Sequence, residues 1–268
     1  VDEHSKINLA FWDEVTPHHA RSDHYAIERF IADPDRLGAV ESAEIGDVSG
    51  RSICHLQCHL GLDTLSLAHR GGTVTGVDFS AESIKFAREL SIRTGIPARF
   101  VQSDVLTAAE TLGETYDLVF TTRGVLMWIG DLAAWARSCA RLLRPGGVFY
   151  LLDLHPLGML LQQTGAGLEL TGSYFGSAEP SITAEDASYA VSDVGLTHQE
   201  THEWIHPVGK VLTALIDAGI MIDFLHEHPA DDHAPTTLSP TDTAPGIPDL
   251  PALYSIRGHL PQTARSVP

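Results

Sequence analysis

The sequence predicts an α/β protein: a mainly parallel sheet of seven strands, helices on both faces and an antiparallel last strand. Between residues 51 and 156 short aliphatic runs alternate with segments of helical spacing, the pitch of right-handed βαβ units. Runs such as "YDLVFTT" lack a polar face, as strands covered on both sides do. No crossover helix separates "ALYSIRG" from the strand before it, so this final strand runs antiparallel to its neighbour.

In chain order, the polar N-terminal stretch holds helical pieces around Phe11, Trp12, Tyr25, Ile27 and Phe30. "RSIC" leads into Leu56 as a first strand. "LDTLSLAHRGG" is a short helix carrying Leu62 and Leu65, with Gly71 and Gly72 as its stop. "TVTGVDFS" is a β-branched second strand ending at Asp78. Ser80 caps the next helix, Glu82 suits its first turn, Ile84, Phe86, Ala87 and Leu90 give it a buried side, and Gly95 ends it. "ARFVQSDV" is the third strand, ending near Asp104, and "YDLVFTT" the fourth. Asp131 caps a helix in which Leu132, Trp135, Cys139 and Leu142 fall at helical spacing, and "RPGG" turns it into "VFYLLDLHP", the fifth strand. Residues 165–195, rich in Gly, Ser and Tyr without a period, read as an insertion on the substrate side. A helix through Val211, Leu212, Leu215 and Ile216 stops at Gly219. "IMIDFLHEH" then alternates as a strand with Ile220, Ile222 and Phe224 on one face. Residues 229–250, rich in Pro, Asp and Thr, are expected to form a long mobile loop.

Composition excludes several classes of function. With 268 residues, 43 % of them hydrophobic and 19 % charged, the chain is globular rather than disordered. No apolar run is long enough to span a bilayer, and the polar start is no signal peptide, so the cytoplasm is the expected compartment. A formal charge of −18 argues against a nucleic-acid partner, because phosphate contacts need clustered Lys and Arg. The expected partner is a small molecule, and a homo-oligomer stays open. Cys54, Cys58 and Cys139 make an odd count without a disulfide framework, best read as inert packing in a reducing compartment.

In an open parallel sheet, ligands bind beyond the carboxyl ends of the strands at the switch point. That rule selects "HLQCHLGLDT" (55–64), Asp78, Asp104 and the stretch after Thr122. An acid ending the second strand can accept from a ribose diol. Asp104 could accept from an adenine amino group, with Phe79 or Val105 covering the ring. Helix capping is the rival role of each acid.

Taken in order, "ICHLQCHLG", "VTGVDFS", "QSDV", "YDLVFTT" and "LLRPGGVFYLLDLHP" resemble the motifs of the class I S-adenosylmethionine-dependent methyltransferases. "FWDEVTPHHARSDHY", "HEWIHPVGKVLTALIDAG" and "FLHEHP" are similar to the bacterial branch whose first loop reads HLQCH-x-GLDT, so the resemblance covers most of the chain. It implies a Rossmann-like methyltransferase fold, S-adenosyl-L-methionine as cofactor and S-adenosyl-L-homocysteine as product. It also implies a helical lid over residues 1–48 on a cofactor-binding domain of 49–268, with an inserted substrate segment at about 160–206. Tyr25, Thr64 and Ser103 join the cofactor residues on this ground, and Trp12, His18 and Tyr25 would belong to the lid.

The wider family ends its first strand in an acid and follows it with three glycines. Here His55, Gln57 and His59 stand in that region and only Gly61 remains. A histidine is tolerable there only at negative φ or in the left-handed well it can occasionally visit. The cofactor carries no phosphate, so the loop need not be a deep anion nest. The start of the helix can hold its carboxylate, Gln57 and His59 offer side-chain hydrogen bonds, and Asp63 or a neutral imidazole could accept from its ammonium. Asp63 has a rival role as a first-turn helix acid.

"HEWIH" (202–206) matches the zinc-peptidase pattern, and His226, Glu227 and His228 could add a ligand. Pro207 biases the second histidine away from helical geometry, so the match reads as accidental and no metal is expected. A strand entering a helix at Pro207 fits better. Period two then puts His198, Glu200, His202, Trp204 and His206 on one face, with His198 and His202 read as solvated and Trp204 and His206 as pocket residues. His155, directly after strand five, is the first choice of general base and His206 the second. Arg123 would orient an acidic acceptor or sit as a surface charge, and Met127 and Trp128 would wall the pocket or pack the core. The expected activity is methyl transfer to an oxygen or nitrogen of a small metabolite, and the alternative is a non-methylating cofactor binder, either a pericyclase or a binding module.

Overall fold

The computed structural model describes residues 2–164, 167–184, 186–192, 194–229 and 250–262. Three helices come first: α1 (Glu3–His19), α2 (Ile27–Ala32) and α3 (Ala39–Ile45). The sheet then builds as β1 (Ser52–Leu56), α4 (Leu62–His69), β2 (Thr73–Asp78), α5 (Ala81–Thr94), β3 (Arg99–Gln102), α6 (Ala108–Leu112), β4 (Tyr116–Thr122), α7 (Leu132–Leu142) and β5 (Leu143–Leu154). It is completed by α9 (Val208–Asp217), β12 (Met221–His228) and β13 (Leu253–His259).

The seven strands lie in the order β12-β13-β5-β4-β1-β2-β3. All pairings are parallel except those of β13, which is antiparallel to both β12 and β5. Chain order reverses between β1 and β4, and that switch point is where such sheets bind ligands.

Strand alternation divides the core. Cys54, Leu56, Val119, Phe149 and Leu151 pack on one face with Trp135 of α7 and Val211 and Leu215 of α9. Ile53, Leu118, Phe120, Tyr150 and Leu152 face the other way, toward Leu67 of α4 and Ile45 of α3. The local signals act as expected: Ser80 and Asp131 accept from Ser83 N–H and Ala134 N–H as N-caps, and Gly95 closes α5 in the left-handed region. No helix among the described residues is long and apolar enough to cross a membrane.

Four features differ from the expectations. "RPGG" is not a separate turn: β5 already begins at Leu143, and a register shift against β4 between Tyr116 and Leu118 absorbs these residues. Alternation in "IMIDFLHEH" breaks at a bulge between Ile222 and Phe224. As a result Ile222 and Leu225 pack on the core, while Phe224 stacks on His226. The insertion pairs into short ribbons: β6 (Leu161–Thr164) with β7 (Gly167–Leu170), β9 (Ala187–Ser188) with β10 (Val191–Ser192), and β8 (Ser181–Ala184) with β11 (Glu200–Glu203). A short helix, α8 (Pro156–Met159), precedes them. The loop expected at 229–250 lies outside the described residues, apart from its two ends.

Candidate active site

A cavity of ≈ 740 Å³ opens at the carboxyl ends of β1, β2, β3 and β4 and is roofed by α1, Tyr25, β9 and β11. Its floor is the 55–64 loop. Gln57 (φ 55°) and His59 (φ 46°) both occupy the left-handed region, which non-glycine residues visit rarely and at a cost. The loop is held there by Asp78, whose Oδ2 accepts the His59 N–H at 2.8 Å while Oδ1 accepts the Ser80 N–H at 2.9 Å. Gly61 keeps the role a glycine must fill. At φ 80° a Cβ would come within 2.8 Å of both the Ala87 Cβ and the Phe100 ring.

Burial dominates the electrostatics. Desolvation pushes Asp78 up to about 6, against the lowering effect of the Ser80 and His59 amides. It drives His55 down to about 3, so this imidazole is neutral. His55 Nδ1 shares a 2.8 Å hydrogen bond with Thr64 Oγ1, while its Nε2 is buried without a partner. Gln57 donates from Nε2 to the Val125 carbonyl at 3.0 Å, leaving its buried Oε1 unpartnered. Such orphaned buried polar atoms are costly unless a ligand satisfies them.

All the residues expected at the cofactor line the cavity except Thr64, which stands behind His55. Asp63 accepts from the Thr122 hydroxyl at 3.3 Å, and Asp104 from the Leu106 N–H at 2.9 Å. A carboxylate acceptor, an orphan amide oxygen, an orphan imidazole nitrogen and an α4 N-terminus without a side-chain cap together fit a nucleoside–amino-acid cofactor.

Trp12 and Trp128 also line the cavity, edge to face at 5.3 Å, with Phe11 and Met127 and with Trp12 packed on His59 at 5.1 Å. Arg123, at φ 57°, lines the wall, and its Nε donates to Glu41 Oε1 of α3 at 2.8 Å, so it is not a surface charge. The loop carrying it is pinned by buried Asp153, which accepts from Gly124, Val125 and Leu126 N–H at 2.6, 3.1 and 3.0 Å. Nothing local in "LLDLHP" marks this carboxylate for that task.

The remaining expectations are corrected by where side chains point. His155 caps α8, its Nδ1 accepting from Leu157 N–H, and its Nε2 lies 3.1 Å from Glu227 of β12. It is therefore turned from the cavity. Trp204 and His206 face a separate small recess beside Tyr254, with His206 Nε2 on the Ile129 carbonyl at 2.7 Å. The face of β11 that meets the cavity is the opposite one, with Gln199, Thr201 and Glu203. His202 is buried rather than solvated: Asn8 of α1 bonds its backbone N–H and carbonyl, both at 2.8 Å. His202 and His206 belong to no common helix, so the zinc-peptidase arrangement is absent. His18 does not reach the cavity, whereas its neighbour His19 bridges His59 Nε2 (3.1 Å) and Ser188 Oγ (2.6 Å). Tyr25 meets the Tyr189 hydroxyl. Tyr189, Glu203 and Asp153 carried no signal in the sequence beyond their residue types.

A family model described as a methyltransferase domain matches residues 53–147. The ubiquinone biosynthesis O-methyltransferase of Proteus mirabilis is 31 % identical over 157 residues, 52 % of this chain and 63 % of that protein. The protein of the same name from Bordetella pertussis is 32 % identical over 203 residues, 71 % of this chain and 78 % of its own length. In fold the chain is similar to an S-adenosylmethionine-dependent methyltransferase from Mesorhizobium loti, with a TM-score of 0.59, 19 % identity, and coverage of 82 % of this chain and 95 % of that one. The chain thus spans 63 % of the Proteus relative's length, and its similarity across most of the Bordetella relative, joined to this sheet order and this cleft, makes it a member of the class I S-adenosylmethionine-dependent methyltransferases.

Proposed function

We propose that the enzyme methylates an oxygen of a small, partly aromatic metabolite held against the wall that Trp12 and Trp128 form together. The observation that carries this reading is one continuous cavity lined by Gln57, Asp78 and Asp104 and also by the aromatic rings of Trp12 and Trp128 and the carboxylate-bearing Glu203. The names of the 31–32 % identical relatives support oxygen as the acceptor atom.

S-Adenosylmethionine, when bound, supplies a methyl group on an electrophilic sulfonium. In this reading the Asp78 carboxylate, which keeps free lone pairs beside its two backbone bonds, accepts from the ribose hydroxyls. Asp104 accepts from the adenine amino group, flanked by Phe79 and Val105. Neutral His55, through its unpartnered Nε2, and Asp63 take the ammonium that a strand-end acid takes elsewhere in the family, and the first N–H groups of α4 take the carboxylate. Gln57 Oε1 accepts a further cofactor donor.

On the acceptor side, Trp12, Phe11, Met127 and Trp128 hold a flat ring in line with the methyl, and such alignment supplies up to roughly 7–11 kcal/mol. Glu203 replaces His155 and His206 as the base that removes the hydroxyl proton, a contribution of about 10²–10⁴-fold. Residues 1–48 act as the lid: α1 and Tyr25 close on β9 through His19–Ser188 and Tyr25–Tyr189 and keep water out.

The test incubates the purified enzyme with S-adenosylmethionine and a panel of hydroxylated aromatic compounds, with amines as the comparison. Formation of S-adenosylhomocysteine together with an O-methylated product supports the proposal. Product only from amines, or bound cofactor that is never turned over by any acceptor, refutes it; the latter result would favour the non-methylating reading.

A further inference from the structure

Helix α3 and the edge strand β12 meet at a cluster that methyl transfer does not use. His226 and His228 lie two residues apart on β12, hence on one face, and Glu44 reaches them from α3. His226 Nδ1 is 2.7 Å from Glu44 Oε1, and His228 Nε2 is 3.7 Å from the same oxygen. One ligand-type atom from each of the three lies within 4.8 Å of the others.

We propose that Glu44, His226 and His228 form a binding site for a divalent transition-metal ion of the zinc type. Two imidazole nitrogens and a carboxylate oxygen are a donor set that Zn²⁺ takes, with a fourth position left for water. Ligand atoms at about 2.0–2.1 Å around a tetrahedral ion stand roughly 3.3 Å apart. The two separations from Glu44, 2.7 and 3.7 Å, bracket that spacing. His226 is half exposed, which gives the ion an entry path.

The surroundings support ligation rather than a simple ion pair. Glu44 Oε2 accepts from the Tyr150 hydroxyl at 2.8 Å, the outer partner that orients a ligating carboxylate. Ser255 Oγ lies 3.0 Å from His228 Nε2; when the hydroxyl donates, that nitrogen is unprotonated, and an ion binds there by taking the lone pair from the hydroxyl, which then turns away. A pair between Glu44 and His226 alone would not require the second histidine or the tyrosine to converge on the same carboxylate. Glu44 is also one helical turn from Glu41, which holds Arg123 in the cavity wall. A bound ion therefore ties the sheet edge to the helix that steadies that wall.

The test is calorimetric titration of chelator-treated, tag-free full-length enzyme with ZnCl₂ alone, with melting temperature as a second readout. A single saturable equivalent and a higher Tm are expected. His226→Ala, His228→Ala and Glu44→Gln should each weaken binding by roughly tenfold or more, with S-adenosylhomocysteine binding retained as proof of folding. No saturable binding overturns the proposal, and so does affinity left unchanged in all three variants, since it would assign the ion to other histidines.

Discussion

A carboxyl group buried to the extent of Asp78, 7 % exposed, resists ionisation. Its value is raised to about 6, with Asp13 adding to the burial effect. The folded state thus holds this proton more tightly than the unfolded chain does. Its contribution to stability is greatest in acid and declines as pH rises through about 6. Cofactor binding runs the other way, because the ribose hydroxyls are best accepted by the anion. Affinity for S-adenosylhomocysteine, measured by calorimetry, should fall as pH is lowered through about 6, and Asp78→Asn should weaken binding roughly tenfold and flatten that dependence. A wild-type affinity independent of pH would remove the ribose role. Gly61 tests the loop itself. Gly61→Ala adds a left-handed penalty and a clash with Ala87 and Phe100, together about 2–4 kcal/mol of destabilisation by urea unfolding.

At the scale of elements, the roof depends on how α1 meets β11. Asn8 satisfies both backbone groups of His202. Asn8→Ala would leave a buried N–H and a buried carbonyl unpaired, at a cost of about 2–5 kcal/mol. The expected outcome is faster amide exchange in α1 and β11 and a raised KM for the acceptor, with the central strands unchanged. Glu14 provides a second clasp: its carboxylate accepts the Thr197 and His198 N–H groups, both at 2.8 Å, which lowers it to about 2. A depressed carboxylate stabilises above its unfolded value and loses that contribution as pH falls through the folded one. The clasp should therefore hold through mild acid and open toward pH of about 2, read by exchange at Thr197 and His198. Protection there, relative to the intrinsic exchange rate, that does not change with pH would show the clasp to be incidental. Element type was legible because caps and periodicity are local, as Ser80, Asp131 and Gly95 show. The bulge in β12 and the absorption of "RPGG" into β5 were not, because each answers to a neighbouring strand.

For the whole molecule, a formal charge of −18 means self-repulsion. Screening should raise the melting temperature as NaCl increases from about 0.01 to 0.15 M, where the Debye length shrinks to roughly 8 Å. A Tm that falls over this range would mean that ion pairs such as Arg123–Glu41 outweigh the repulsion. The same charge predicts no retention of duplex DNA at physiological salt.

The amino-acid order by itself determined the sheet, its antiparallel strand and the acids at the strand ends, since those follow from period, punctuation and residue type along a few neighbours. The order of motifs also carried the family and its cofactor. Tertiary structure alone decided which side chains face the cleft. His19 rather than His18 meets His59 because of the rotation of α1 against β9. His155 turns to Glu227 because β12 passes on that side of the sheet. Thr201 and Glu203, not Trp204 and His206, look inward because α1 covers the other face of β11. A period-two pattern defines two faces, and only the partner packed against one of them settles which becomes the site.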